Sequence, residues 1–175
     1  KVAYHSPAID DPKFYALLVL DAALTGAYGL NLWSSFRLPP PQRSARLYRA
    51  LVGKGLASSV NGSLLPTELP FVYIISVTAT DGTPLAAVEG ELLDELGKVA
   101  QGGITPAELT KAKAQLTARL VFENDSITNI AHQIGYFETT AGVDVYANFR
   151  PRIAAVTLED VAGAARTILT ESNRT

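Results

Sequence analysis

The chain has 175 residues, 47% hydrophobic and 18% charged, with a formal net charge of −2 and neither Cys nor Met. This is the length of one ordinary domain with a buried core, and the composition excludes a disordered, collagen-like or disulfide-stapled chain. The near-zero charge, a pI near 5.7 and the lack of a Lys/Arg run exclude the electrostatic footprint of a nucleic-acid binder.

The chain opens Lys1-Val2-Ala3-Tyr4 without an initiating Met, and its charged fraction is below the usual value of about 25%. We therefore expect residues 1–175 to be a single domain excised from a longer protein, with faces meant for other domains. A chain without Cys suits oxidising and reducing compartments alike, so bacterial periplasmic and cytoplasmic placements both stay open.

In chain order, Lys1 to Ser6 reads as a strand. Asp11 then offers an N-cap and Pro12 a first helical residue, followed by the apolar Phe14, Leu17, Leu18, Ala22 and Leu24 up to Gly26. Asp21, Gly26, Gly29 and Asn31 argue against a membrane span over Ala16 to Phe36. Residues 27–43 read as a long loop carrying Trp33, Phe36 and three prolines. Ser44 is expected to cap a short helix through Arg46, Leu47, Arg49 and Leu51, closed by Gly53 and Gly55.

Two runs with strand character follow, Leu56 to Leu65 and Phe71 to Thr80; the second, rich in β-branched and aromatic residues, reads as the central strand. Leu85, Val88, Leu92, Leu96 and Val99 recur at helical spacing until Gly102-Gly103. Thr105-Pro106-Ala107-Glu108 is a capping box for a helix through Leu109, Ala112, Leu116 and Leu120. That helix continues, or restarts at Ser126, on a face of Ile127, Ile130, Ala131 and Ile134. A short helix near Asp144 to Ile153 precedes a second box, Thr157 to Asp160, whose helix buries Val161, Ala164, Ala165 and Ile168. Strands segregated from helices predict an α+β fold: an antiparallel or mixed sheet with helices on one face.

The chemistry-bearing residues are few. His5 and His132 are the two histidines, far apart and outside any HExxH or HxxEH pattern, so neither makes a metal ligand set. There is no GxSxG elbow, and Ser58 and Ser59 read as small strand residues. Glu89, Glu91, Asp94 and Glu95 fall on the polar side of an amphipathic helix, and Glu123 and Asp125 read as a cap or exposed carboxylates near a helix join. From the residues alone, no catalytic residue, metal ligand or cofactor site is expected.

Three segments carry a resemblance. Ser44-Ala45-Arg46-Leu47-Tyr48-Arg49-Ala50-Leu51 with Lys54-Gly55-Leu56-Ala57-Ser58-Ser59-Val60 resembles the SRLY...L...GLA-x-SV segment of the insulinase, pitrilysin and mitochondrial processing peptidase family of zinc metallopeptidases. Gly103 to Leu109 with Lys111-Ala112-Lys113 is similar to its GIT-x-x-EL-x-x-AK segment, and Ala155 to Val161 to its VT-x-EDV segment. The match is to the non-catalytic, C-terminal type of domain.

The resemblance implies a substrate-chamber domain of a zinc metalloendopeptidase of the LuxS/MPP-like fold. Zinc and its HxxEH motif would lie in a sister domain or subunit, and peptide would be the substrate. The isolated chain would be inactive and the parent a zinc-dependent peptidase. A second implication is a structural or assembly subunit that has lost proteolysis. Many relatives lend an Arg and a Tyr to substrate from a segment like LREKxGLAY. Here the run Leu51 to Ser58 is one residue shorter, with Val52 in place of the Arg and Ser58 in place of the Tyr. The substrate-contact candidates are therefore Arg46, Tyr48, Arg49 and Ser58, with a structural ion pair as the favoured reading of the two arginines. Trp33 and Phe36 are candidate interface anchors.

Overall fold

The computed structural model describes residues 1–27 and 42–175. Trp33 and Phe36 lie outside the described residues, as does most of the loop read over 27–43.

The sheet is antiparallel. Its strands are β1 (Val2–Ser6), β2 (Ala57–Leu64) and β3 (Phe71–Ala79), with β3 in the centre as its composition predicts. Tyr4 pairs with Tyr73 and Gly62 with Ile75, so Tyr4, Val60, Leu64, Tyr73 and Ile75 share the buried face. His5, Ile74 and Ser63 are on the other, partly open face. At the outer edge of β1 the amide of Ala3 donates to Thr175 O and that of Thr175 to Ala3 O, each at 2.9 Å.

Helix α1 (Pro12–Leu24) lies across the buried face. Asp11 caps it, its carboxylate accepting from the Lys13 amide at 2.8 Å, and Pro12 opens it. Every residue from Phe14 to Leu24 is buried, so α1 is the central helix of the core, with the sheet on one side and α3 and α7 on the other. Its length and burial explain an apolar run that could be mistaken for a membrane segment; among the described residues no helix is long and apolar enough to cross a membrane.

The remaining helices are α2 (Leu85–Gly102), α3 (Pro106–Glu123), α4 (Ile127–Thr140), α5 (Val143–Ala147), α6 (Phe149–Ala155) and α7 (Leu158–Ile168). Both predicted capping boxes form, at Thr105/Glu108 and Thr157/Asp160. The α+β arrangement agrees with expectation.

Three local readings need correction. The short helix after Ser44 is wound through Tyr48–Val52 as a π-helix, the Gly53 amide reaching Tyr48 O at 2.8 Å, and Ser44 instead accepts a hydrogen bond from Lys111. Leu85 opens α2 at 76% exposure instead of joining its buried face. Helix α4 turns the other way: Gln133 and Phe137 are buried, whereas Ile127, Ala131 and Ile134 face out. Phe137 wins because its ring packs against Tyr146 and Phe149, at centroid distances of 5.3 and 5.6 Å.

A buried carboxylic acid lies between α1 and the sheet. Asp21 of α1 accepts hydrogen bonds on Oδ1 from the Tyr73 hydroxyl at 2.7 Å and from Thr25 Oγ1 at 2.8 Å. Burial pushes its carboxyl up to about 6, overcoming the two hydrogen bonds that pull it down. The folded chain thus holds this proton more tightly than the unfolded chain, whose aspartate titrates near about 3.9. The Asp21 contribution is fully present below pH ~4 and is lost as pH rises to about 6, a fall of about 3 kcal/mol. We expect denaturation midpoints to drop across that interval in the native chain and to lose this component in Asp21→Asn. An unchanged profile in the variant would contradict the assignment.

Candidate functional site

The residues of the first two sequence segments meet. Arg46 and Arg49, three apart at the start of the π-helical turn, face Glu108 and Lys111, three apart on the first turns of α3. Arg46 grips Glu108 bidentately, Nε donating to Oε1 at 3.0 Å and Nη2 to Oε2 at 2.7 Å. The same carboxylate closes the capping box, accepting on Oε2 from the Thr105 amide at 2.9 Å and the Thr105 hydroxyl at 3.0 Å. Arg49 Nη2 stands 3.7 Å from Oε1, an ion pair beyond hydrogen-bond range. Lys111 donates from Nζ to Ser44 O at 3.0 Å and to Ser44 Oγ.

The electrostatics follow from these contacts. Burial would raise the Glu108 carboxyl, but the hydrogen bonds from Arg46 and Thr105 together with the Arg46 charge outweigh it and hold the group at about 2. Burial and the neighbouring Arg49 charge pull Lys111 below its ordinary value, with Glu108 opposing.

The other candidates do not converge on one point. Tyr48 is half-buried and packs against the core. Ser58 is exposed at an irregularity of β2 and donates to Thr78 O at 3.3 Å. Val52 is half-buried within the π-helix. Glu123, read as a cap or exposed carboxylate, is instead 5% exposed and accepts from Arg119 Nε at 3.0 Å. Sequence reasoning credited Glu108 with its cap alone and gave Lys111 no role. The signal was present in the matching three-residue spacings of Arg46/Arg49 and Glu108/Lys111. A separate groove of about 630 Å³ between α1, α6 and α7, where Arg152 stacks over the Tyr15 ring at 5.3 Å, shares no lining residue with this junction.

The described residues do not suit zinc. His5 and His132 are both exposed and belong to no ligand cluster. The carboxylate oxygens of Glu91, Asp94 and Glu95 lie within 4.8 Å of one another, but Lys54 sits 2.7 Å from Glu91 and Lys98 sits 2.7 Å from both Asp94 and Glu95. An all-carboxylate set whose members are already paired with ammonium groups offers zinc none of the nitrogen or sulfur ligands it favours.

A family profile described as the peptidase M16 inactive domain matches residues 1–116, which include both halves of the Arg46/Glu108 junction. The chain belongs to this family. As an M16 inactive domain it is 33% identical over 98 residues to the mitochondrial-processing peptidase subunit beta of Saccharomyces cerevisiae, a match covering 50% of this chain and 21% of that protein. It thus spans about a fifth of the curated relative's length.

Among solved structures, a protease from Helicobacter pylori superposes with a TM-score of 0.84 at 19% identity, over 99% of this chain and 38% of the other. The inactive peptidase domain of a candidate zinc protease from Bordetella parapertussis does so with a TM-score of 0.81 at 22% identity, covering 99% of this chain and 87% of that one. At these identities the superpositions establish the fold alone.

Proposed function

We propose that this M16 inactive domain forms one wall of the substrate chamber of a zinc-dependent endopeptidase, with the zinc and its HxxEH residues in a sister domain or partner subunit. The observation that carries the reading is the apolar end built by α3 and α4. Phe122 is 73% and Ile127 87% exposed, on the two sides of the α3–α4 turn, with Val121 and Ile134 also open to solvent. Apolar side chains gathered in this way mark a protein contact surface more often than a solvated one.

Helix α4 supports this. Its outward Ile127 and Ile134 and inward Gln133 are the reverse of what a solvent-facing helix favours, which suits a helix covered on both sides. The low charged fraction of the chain points the same way. In this reading the domain binds and shapes peptide, and the metal-activated water that cleaves it is supplied from elsewhere.

The test is association of the chain with the HxxEH-bearing domain of its parent. We expect a complex on size-exclusion chromatography, and we expect Phe122→Asp/Ile127→Asp to weaken it by at least about tenfold, as loss of buried apolar anchors does. A wild-type chain that stays separate at tens of micromolar would contradict the reading. A second reading, a structural or assembly subunit of the same family without proteolysis, is favoured by Val52 and Ser58 standing where relatives carry the Arg and Tyr that hold substrate. It predicts the same complex with no peptide cleavage.

A further inference from the structure

The groove between α1, α6 and α7 encloses about 630 Å³ and shares no residue with the apolar end of α3 and α4. That volume suits a small ligand or a few residues of peptide. Its floor is apolar, made by the Tyr15 ring and Ala16 of α1, by Ala155 and Val156 at the end of α6, and by Ala164 of α7. The Tyr15 ring is fixed by its neighbours, 5.2 Å from the Phe149 ring and 5.6 Å from that of Phe14.

Two guanidinium groups line this groove, and a contact inside it locates the tip of each. Arg152 lies 5.3 Å from the centroid of the Tyr15 ring and donates from Nη1 to the Tyr15 hydroxyl at 3.1 Å. Arg166 reaches back over α7: a Cβ built on Gly163, itself a lining residue, would stand 4.0 Å from Arg166 Nη2. Among the described residues, neither guanidinium has a carboxylate within ion-pair distance. The Tyr15 phenol is a neutral acceptor that occupies one N–H of Arg152 and leaves its charge unanswered.

The acidic residues of the lining are engaged or set apart. Asp160 Oδ2 accepts from the Thr157 amide and hydroxyl in the helix cap. Glu159 stands seven residues before Arg166, about 10 Å back along α7. Asp10 lines the groove beside the start of α1 together with Lys13, whose charge offsets it.

We propose that this groove binds the C-terminal end of a peptide, the terminal carboxylate accepting from Arg152 and Arg166 and the last side chain, an apolar one, resting on the floor. A C-terminal residue carries its charge and its side chain on one carbon, which matches two cations set against an apolar surface. Peptide as the ligand rests on the chamber reading, since cleavage of a peptide bond makes a free C-terminus; the groove and its two cations do not. Arg152 is already held against a packed ring, so little order has to be created there on binding. Both arginines are exposed, and affinity falls as ionic strength rises.

The test is a proton–nitrogen correlation NMR titration of the 175-residue chain at low salt with N-acetylated tetrapeptides of alanine that differ at the last position. One ends in Leu with a free carboxylate, a second in Leu amide, a third in Ser with a free carboxylate and a fourth in Glu amide. We expect the first to bind roughly tenfold more tightly than each of the others and to shift the amides of Tyr15, Gly163 and Ala164. Arg152→Gln/Arg166→Gln should abolish the preference for the Leu acid over the Leu amide, and Arg166→Lys should keep part of it. Circular dichroism checks the fold of each variant. Arg166→Gln alone changes an exposed side chain outside any ion pair among the described residues, provides a variant whose folding is not at risk, and should itself weaken the preference.

Equal binding of the Leu acid and the Leu amide, a preference that survives the double variant, or shifts confined to residues outside the groove would overturn the proposal. So would a Ser acid or a Glu amide that binds as tightly as the Leu acid, or sodium acetate that does so with the same shifts and marks a plain anion site. Tight binding of the Leu acid by a chain that fails to associate with an HxxEH-bearing domain would overturn the chamber reading and leave this site standing.

Discussion

Replacing Gly62 with valine should leave the chain without a cooperative unfolding transition, and Gly62→Ala should cost about 3 kcal/mol. At this position β2 runs directly over Asp21 of α1. A Cβ built on Gly62 would stand 1.9 Å from Asp21 Oδ1 and 2.7 Å from Thr25 Oγ1. Neither atom can step aside cheaply. Asp21 has a short side chain on a helix buried on every side, and Oδ1 is the acceptor for both Tyr73 and Thr25. A methyl group must therefore lift the strand off the helix or break a buried hydrogen-bond pair. Chemical denaturation of Gly62→Ala measures the cost. The same substitution in an Asp21→Ala background should cost only about 1 kcal/mol, because the colliding oxygen is gone and only backbone and strand-packing effects remain. Equal costs in both backgrounds would show that the close approach is not the cause.

The second large effect is expected at Glu108. Glu108→Ala removes the bidentate partner of Arg46 and the carboxylate that accepts from the Thr105 amide in the capping box together, and should cost about 3 kcal/mol, with Arg46→Ala nearer 2. Both groups are only partly buried, at 20% and 17% side-chain exposure, so these figures stay below those of a fully buried pair. Arg46→Lys should recover less than half of the loss, since an ammonium cannot reproduce the two parallel hydrogen bonds. With its carboxyl held at about 2, Glu108 stabilises the fold above the usual glutamate range, and that contribution is lost as pH falls toward 2. Acid unfolding should therefore begin at higher pH in Arg46→Ala than in the native chain.

Much of the fold was legible because local signals agreed with tertiary packing. The Asp11-Pro12 start, the two capping boxes and the β-branched run Phe71 to Thr78 each specify an element without help from distant residues, and each element forms. The failures lie where distant contacts decide. Helix α4 has two candidate apolar faces, and the cluster of Phe137 with Tyr146 and Phe149 selects the one that leaves Ile127 outside. The π-helix gives no periodicity signal over five residues, and it accommodates the tight approach of Gly53 to Arg49 O, 2.6 Å from a built Cβ.

The site was legible in part. Arg46 and Arg49 stood out, but their partner lay 62 residues away from Arg46 under a plain helix-start signature. Sequence spacing shows that two residues share a face, whereas which faces meet is settled by the packing of α1 against α3 and of the π-helix against β2. The same limit explains Asp21. A lone aspartate in an apolar run argues against a membrane span, but its role under Gly62 exists only once α1 and β2 cross.

The central claim, a non-catalytic domain that completes a zinc peptidase, is tested most directly by cleavage of a quenched fluorescent peptide. The 175-residue chain, the HxxEH-bearing domain of its parent and their mixture would be assayed with and without a zinc chelator. The account predicts no turnover by the chain alone and chelator-sensitive turnover by the mixture well above that of the HxxEH-bearing domain alone. Turnover by the chain alone, or a mixture no more active than the HxxEH-bearing domain by itself, would contradict it.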